Sequence, residues 1–112
     1  AIETGRAWAR GRVTTGAAMR ASLGAHAAAR SVEDPRAVAA ARAAGQAVAT
    51  AHCADHCMGA LLYVLKNQKL AGKRPRKTLQ AQIGKLPRRL RAMVREGVVA
   101  RGSFLLRRLP RR

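Results

Sequence analysis

The sequence contains few aromatic and few acidic residues. Its 112 residues include one Trp, one Tyr and one Phe, and five Asp or Glu against 23 Lys or Arg. A metal-dependent nuclease needs a cluster of carboxylates, and five acids, two of them adjacent at Glu33 and Asp34, do not readily supply one. The scarcity of aromatic rings leaves little to stack on the bases of single-stranded nucleic acid.

Cysteines and long apolar runs are also scarce. Cys53 and Cys57 are the only two cysteines, and a pair four residues apart does not make the disulfide framework of a secreted domain. No stretch approaches the ~20 apolar residues of a membrane span, and no signal-peptide pattern opens the chain. We therefore expect a cytoplasmic protein without a membrane partner. The chain opens with a helix-like pattern and without Met, so we also expect a helix to be missing before Ala1.

Motifs of catalysis are absent as well. The stretch AGKRPRKT lacks the first glycine of a phosphate-binding loop and the strand that precedes one. None of the serines lies in a nucleophile elbow. We expect no enzyme, no catalytic residue and no cofactor.

Alanine dominates what is present. The apolar fraction is 48%, and 25 of the apolar residues are Ala. Alanine is the best helix former and buries little surface, and the chain shows neither a strand pattern nor a repeat. The composition therefore predicts an all-α fold, a compact multi-helix domain with closely packed helices and a basic C-terminal extension.

Several sequence signals place the helices. Asp34-Pro35 is a helix start, because Asp caps and Pro fits the first helical position. Thr14 or Thr15 is expected to cap the helix before it, in which Met19, Leu23 and His26 or Ala27 form a helical stripe. A basic linker with turns at Gly72 and Pro75 leads to two short helices within 78–99, the second started by Pro87.

Two parts of the chain are expected in the core. Asp55 to Lys66 is apolar nearly all round and is predicted to be a buried central helix. Val48, Leu62 and Tyr63 are expected to be buried, with Trp8 anchoring the first helix. The sequence leaves open whether this helix continues the preceding one or follows a break at 51–54.

Two histidines and two cysteines stand together as His52-Cys53-x-x-His56-Cys57. Histidines at i and i+4 suit zinc, but only His26 and Asp55 offer further ligands, so we expect no metal. We expect His52, Asp55, His56 and His26 to form a polar cluster, either packed in the interior or facing a partner, with Cys53 and Cys57 buried as small apolar residues. Gly45 and Gly59 would let another helix approach.

Positive charge is concentrated in the second half of the chain. Residues 1–65 hold seven Arg and four acids, whereas residues 66–112 hold sixteen Lys or Arg and Glu96 alone. This asymmetry favours contact with nucleic acid, an anionic membrane or an acidic protein, with a merely solvated surface as the alternative. The candidate anion-binding residues are Arg74, Arg76, Lys77, Arg88, Arg89 and Arg91.

Three segments carry a resemblance to a known family: RAWARGRVTTGAAMRASLGAHAAAR, DPRAVAAARAAGQAVATAHCADHCMGALLYVLK and LPRRLRAMV. They resemble a family of bacterial immunity proteins, small all-helical domains often labelled exonuclease-like in genomes. The resemblance covers roughly residues 1–98, and AGQAVATAHCADHCMGALLYVLK is its most specific part. Arg88 and Arg89 depart from the acids usual in the family, and residues 99–112 have no counterpart in it.

The resemblance implies a helical fold and a non-enzymatic role in neutralising a toxin by protein–protein binding. Immunity proteins that block nucleases are usually acidic, and a chain with a net charge of +18 does not fit that role. The expected partner is therefore a toxin with an acidic surface that is not a nuclease active site. The alternative is weak, non-specific binding of nucleic acid through the C-terminal half.

Overall fold

The computed structural model describes residues 1–106, with side chains up to Ser103. Six helices follow one another: α1 (Ile2–Ala9), α2 (Thr15–Arg30), α3 (Pro35–Ala49), α4 (His56–Leu70), α5 (Pro75–Gly84) and α6 (Arg88–Leu106). There is no strand within residues 1–106. The predicted all-α fold is confirmed.

The predicted helix starts at Thr14 and Asp34 are confirmed by capping bonds. The Thr14 hydroxyl oxygen accepts a hydrogen bond from the Ala17 amide at 3.1 Å, and the Asp34 carboxylate accepts one from the Ala37 amide at 3.1 Å. Pro75 was expected in a linker but begins α5. Proline fits there because the first helical residue has no use for its own N–H.

The helices form a flat body with principal extents of 48 × 38 × 18 Å. α3 and α4 pack against each other in the middle; α2 lies beside α3, and α5 and α6 lie against α4. α1 rests on α2 and α3. The prediction of a central helix is confirmed for α4, although Leu62 and Tyr63, expected to be buried, are only half-buried.

Large buried side chains are concentrated at one end of the body. Between α4, α5 and α6 lies an apolar core made of Met58, Leu65, Leu79, Ile83, Val94 and Val98. The contact of α2 with α3 is instead lined by small residues: Ala18, Ser22, Ala29, Ala39 and Ala43 are buried there. Val48 is buried, as predicted.

The stripe predicted for α2 is wrong. Leu23 is 67% exposed, and Met19 and His26 are half-buried, whereas Ala18 and Ser22 face inwards. The Ser22 hydroxyl donates to the Gly45 carbonyl at 2.9 Å across the interface. A contact this close accepts only small residues, so the larger side chains are turned to its edges.

Trp8 also lies outside the core. It is half-buried, and its indole N–H donates to the Thr15 hydroxyl at 3.2 Å. The indole thus links α1 to the first residue of α2.

The last helix passes the predicted domain boundary at residue 98. α6 runs to Leu106 with non-helical backbone angles at the buried Gly102. The division into 1–98 and 99–112 stays a prediction, and residues 107–112 of the predicted basic tail lie outside the described residues. Within the described part of the chain, none of the helices has the length and hydropathy that crossing a bilayer requires.

Leu65 provides a test of the core. Its side chain is 0% exposed, so Leu65→Ala is expected to lower the free energy of unfolding by ~2–5 kcal/mol. Leu23→Ala, at an exposed position on α2, is the matched control and should change it by less than about 0.5 kcal/mol. Denaturant unfolding of both variants measures the difference, and equal losses would contradict the assignment of the core.

Candidate functional site

The HCxxHC segment straddles a break between α3 and α4. α3 ends at Ala49, a turn follows over residues 50–55, and α4 begins at His56. His52 and Cys53 are exposed, so the expectation that Cys53 is buried is wrong; Cys57 and His56 are half-buried. The turn exposes the first half of the motif, because only its second half belongs to a packed helix.

His56 is positioned by Gln46 of α3. The two imidazoles of His52 and His56 have centroids 5.2 Å apart and planes tilted by 59°. Nδ1 of His56 lies 2.7 Å from Oε1 of Gln46, and it donates because an amide oxygen only accepts. The Gln46 side chain passes over Gly59, where a Cβ would come within 2.9 Å of the same oxygen. Gly59 thus makes room for the bond.

His26 is positioned in the same way between α2 and α3. Nη1 of Arg42 donates to Nδ1 of His26 at 2.9 Å, which leaves the ring proton on Nε2 because a guanidinium cannot accept. A Cβ on Gly45 would lie 2.8 Å from that Nε2. Burial, and then the positive charges of Arg42 and Arg30, lower the pKa of His26 below its ordinary 6.5.

Asp55 takes part in a separate, exposed ion pair. Its carboxylate lies 3.8 Å from Nη2 of Arg101 on α6, and the two side chains are 72% and 48% exposed. A pair this open to water adds little stability. Burial, and then the charge of Asp55, raise the pKa of the half-buried Cys57 thiol, so Cys57 stays protonated at neutral pH.

The predicted polar cluster is therefore a row of separate contacts across neighbouring helices. His26 bonds to Arg42, His56 bonds to Gln46, and Asp55 pairs with Arg101. The sequence analysis grouped the histidines with Asp55 in one cluster and did not identify these three partners. Arg42 and Gln46 stand four residues apart around Gly45, and that spacing on one helix face was the available signal.

Residues 1–106 contain no group of three His, Cys, Asp or Glu side chains placed to hold a metal ion. That no metal is bound stays a prediction. The contacts of His26 and His56 join helices, whereas the His52 side chain is exposed.

The candidate anion-binding residues fall into two groups, one at each end of α5. Arg74, Arg76 and Lys77 surround its first turn, and Arg88 and Arg89 begin α6. The ten residues of α5 separate the two groups by ~15 Å. Within residues 1–106 none of these five side chains has an acidic partner.

Arg91 has a different environment. Its Nε donates to the Leu86 carbonyl at 2.9 Å and its Nη2 to the Gly84 carbonyl at 3.0 Å. These carbonyls lie at and just beyond the end of α5, where helical partners run out. The structure thus gives Arg91 a role in joining α5 to α6, which the sequence did not suggest.

The charges at both helix starts are unfavourable for the protein alone. The first turns of α5 and α6 contain no acidic residue, although the positive end of a helix dipole is stabilised by acids and opposed by cations. The two groups therefore form a positive potential that a negatively charged partner would neutralise.

Comparison with known proteins identifies one family. The model of the family described as Imm-5 like putative immunity protein matches residues 1–89. No curated protein and no solved structure shows a significant match to the chain.

Gly45 and Gly24 provide a matched test of the α2–α3 contact. A Cβ at Gly24 meets nothing within 4 Å, so Gly24→Ala should raise the free energy of unfolding by about 0.5–1 kcal/mol, the usual gain of Ala over Gly in a helix. Gly45→Ala would displace His26 from Arg42, and the gain should be absent or reversed. Thermal unfolding measures the stability of both variants. An equal gain in stability would show that the His26 ring is not held against Gly45.

The lowered pKa of His26 predicts a pH dependence. The unfolded chain binds a proton near pH 6.5, whereas the folded chain resists it, so stability is lost as pH falls through that value. The melting temperature of the wild type should fall more between pH 7.5 and 5.5 than that of His26→Gln. If the melting temperatures of the wild type and His26→Gln depend on pH in the same way, His26 is not the cause of the pH dependence.

Proposed function

The chain belongs to the Imm-5 like putative immunity protein family, and on this basis we propose that it neutralises a protein toxin by binding it. The toxin surface that it contacts is acidic and is not a nuclease active site. The protein acts in the cytoplasm, by occupation of the toxin rather than by a chemical reaction. Family membership supports the immunity role, and the charge distribution supports the choice of partner.

The main observation in favour of an acidic partner is the positive charge at the starts of α5 and α6, which no acidic residue of the described chain neutralises. Five exposed cations, Arg74, Arg76, Lys77, Arg88 and Arg89, stand at positive helix ends without an acidic neighbour among the described residues. An acidic surface would relieve that repulsion and accelerate association. The match to the family ends at residue 89, so both groups lie inside the matched region.

Charge reversal tests the proposal. The toxin candidate is the protein encoded beside this one, and the readout is growth of cells that express it with and without this chain. The combined variant Arg74→Glu, Arg76→Glu and Lys77→Glu should weaken binding of the purified toxin by about tenfold or more, mainly through slower association. Protection of growth should fall with it.

The matched control reverses three other exposed arginines, Arg10, Arg12 and Arg20. The net charge changes by the same amount in both variants, so a loss of protection confined to the first variant assigns the effect to the start of α5. Equal losses would reduce the proposal to a general effect of charge. Retention of protection by both variants would contradict it.

Binding of nucleic acid is the competing function for the same cations. Cations without acidic partners also suit phosphate groups, and each neutralised phosphate contributes roughly −0.9 to the slope of log K against log salt on duplex DNA. Fluorescence anisotropy with a short duplex at two salt concentrations measures this slope. Tight binding at physiological salt, together with absence of growth protection, would favour nucleic acid over a toxin.

A further inference from the structure

An apolar groove crosses the face of the molecule between α1 and α5. Two adjoining clefts of ≈ 490 and ≈ 460 Å³ make it up, and Ile2, Ala47, Ala60, Leu61 and Gln82 line both. α1 forms one wall, the end of α5 forms the other, and α3 and α4 form the floor. No Cα atom of α1 comes within 8 Å of α5 in the described chain, so the two walls do not contact each other.

The floor of the groove is made of small residues. Ala40, Ala44 and Ala47 from α3 and Ala60 from α4 line it, and Ala40 and Ala47 are exposed. Ile2, on the α1 wall, is 57% exposed. Small residues let a second backbone approach closely, and the exposed apolar surface gains from being covered.

The charged residues that line the groove have one sign. Arg6 on the α1 wall and Lys85 on the α5 wall are the charged lining residues, and both are exposed. Glu3 on α1 lines neither cleft, although it stands three residues before Arg6 and is therefore its neighbour on the helix surface. An occupant would therefore meet an apolar floor flanked by a cation on each side.

The dimensions suit a helix of about three turns. The lining residues extend from Ala40 to Val48 along α3 and from Cys57 to Gln68 along α4, which corresponds to ~12 and ~16 Å of helix axis. Many proteins bind a partner by docking the apolar face of an amphipathic helix into a hydrophobic groove.

We propose that this groove binds an amphipathic helix of a partner protein, with its apolar face on α3 and α4 and acidic residues along its flanks facing Arg6 and Lys85. The identification of this partner with the toxin rests on the proposed function. The groove itself is defined by the structure alone. A second copy of this chain is disfavoured as occupant by the net charge of +18 on each molecule.

Trp8 makes the proposal measurable without the natural partner. It is the only Trp in the chain, and it lines the groove, so its emission should shift when the groove is filled. The probe is a synthetic amphipathic peptide of about 18 residues with leucine and alanine on one face and glutamate on its flanks. Its counterpart carries lysine in place of every glutamate, and a scrambled acidic peptide controls for charge alone.

The acidic peptide is expected to shift Trp8 emission and to bind about tenfold more tightly, or better, than the basic and the scrambled peptides. Ala47→Glu, which places a carboxylate on the floor, should abolish this binding. Ala27→Glu, at an exposed alanine of α2 that does not line the groove, should leave it unchanged. Circular dichroism and melting of both variants establish that the fold persists.

The double variant Arg6→Glu and Lys85→Glu tests the flanks even if Ala47→Glu does not fold. It should reverse the preference, so that the basic peptide becomes the tighter ligand. Equal binding of the acidic and basic peptides, or binding unaffected by both variants, would overturn the proposal. So would self-association in sedimentation equilibrium that Ala47→Glu abolishes, or displacement of the peptide by a stoichiometric amount of a medium-chain fatty acid.

The two proposals fail separately. Loss of growth protection in the α5 charge variant with normal peptide binding would support the toxin role and leave the groove intact. If the chain protects cells but does not bind the peptide, only the proposal about the groove is contradicted.

Discussion

The hydrogen bond from the Ser22 hydroxyl to the Gly45 carbonyl fixes how closely α2 and α3 approach. At that separation the interface accepts alanine and serine, and larger side chains have to lie at its edges. His26 is one of them: its ring rests against Gly45, where Arg42 can reach Nδ1. The placement of His26 therefore follows from a contact between small residues.

The small side chains of α3 also explain why a groove lies between α1 and α5. Ala40, Ala43, Ala44 and Ala47 line the groove from α3, so these positions of α3 place no large side chain in the space between α1 and α5. In the second half, Met58, Leu65, Leu79, Ile83, Val94 and Val98 pack into the core between α4, α5 and α6. The protein thus has a core of large side chains at one end and, in the middle, a groove lined by small apolar residues.

Local signals predicted the fold well, and side-chain partners poorly. Composition, the capping residue Asp34 and the start at Pro87 were sufficient for an all-α chain, because helix starts are specified by neighbouring residues. The buried face of α2 could not be read from periodicity, since alanines on several faces give no contrast and Leu23 stood out as the largest apolar residue. The partners Gln46 and Arg101 come from other helices, and their approach depends on packing that one sequence does not encode locally.

The uneven distribution of bulky side chains also implies unequal local stability. In the described chain, the apolar cluster belongs entirely to α4, α5 and α6, whereas α1 contributes no buried residue and α2 contributes only alanine and serine. Segments with few buried apolar contacts open at lower free energy than the global unfolding transition. The amide hydrogens of α1 and α2 should therefore exchange with solvent through partial opening, while those of α4 wait for the whole molecule to unfold, so that the chain behaves as two cooperative units joined at α3.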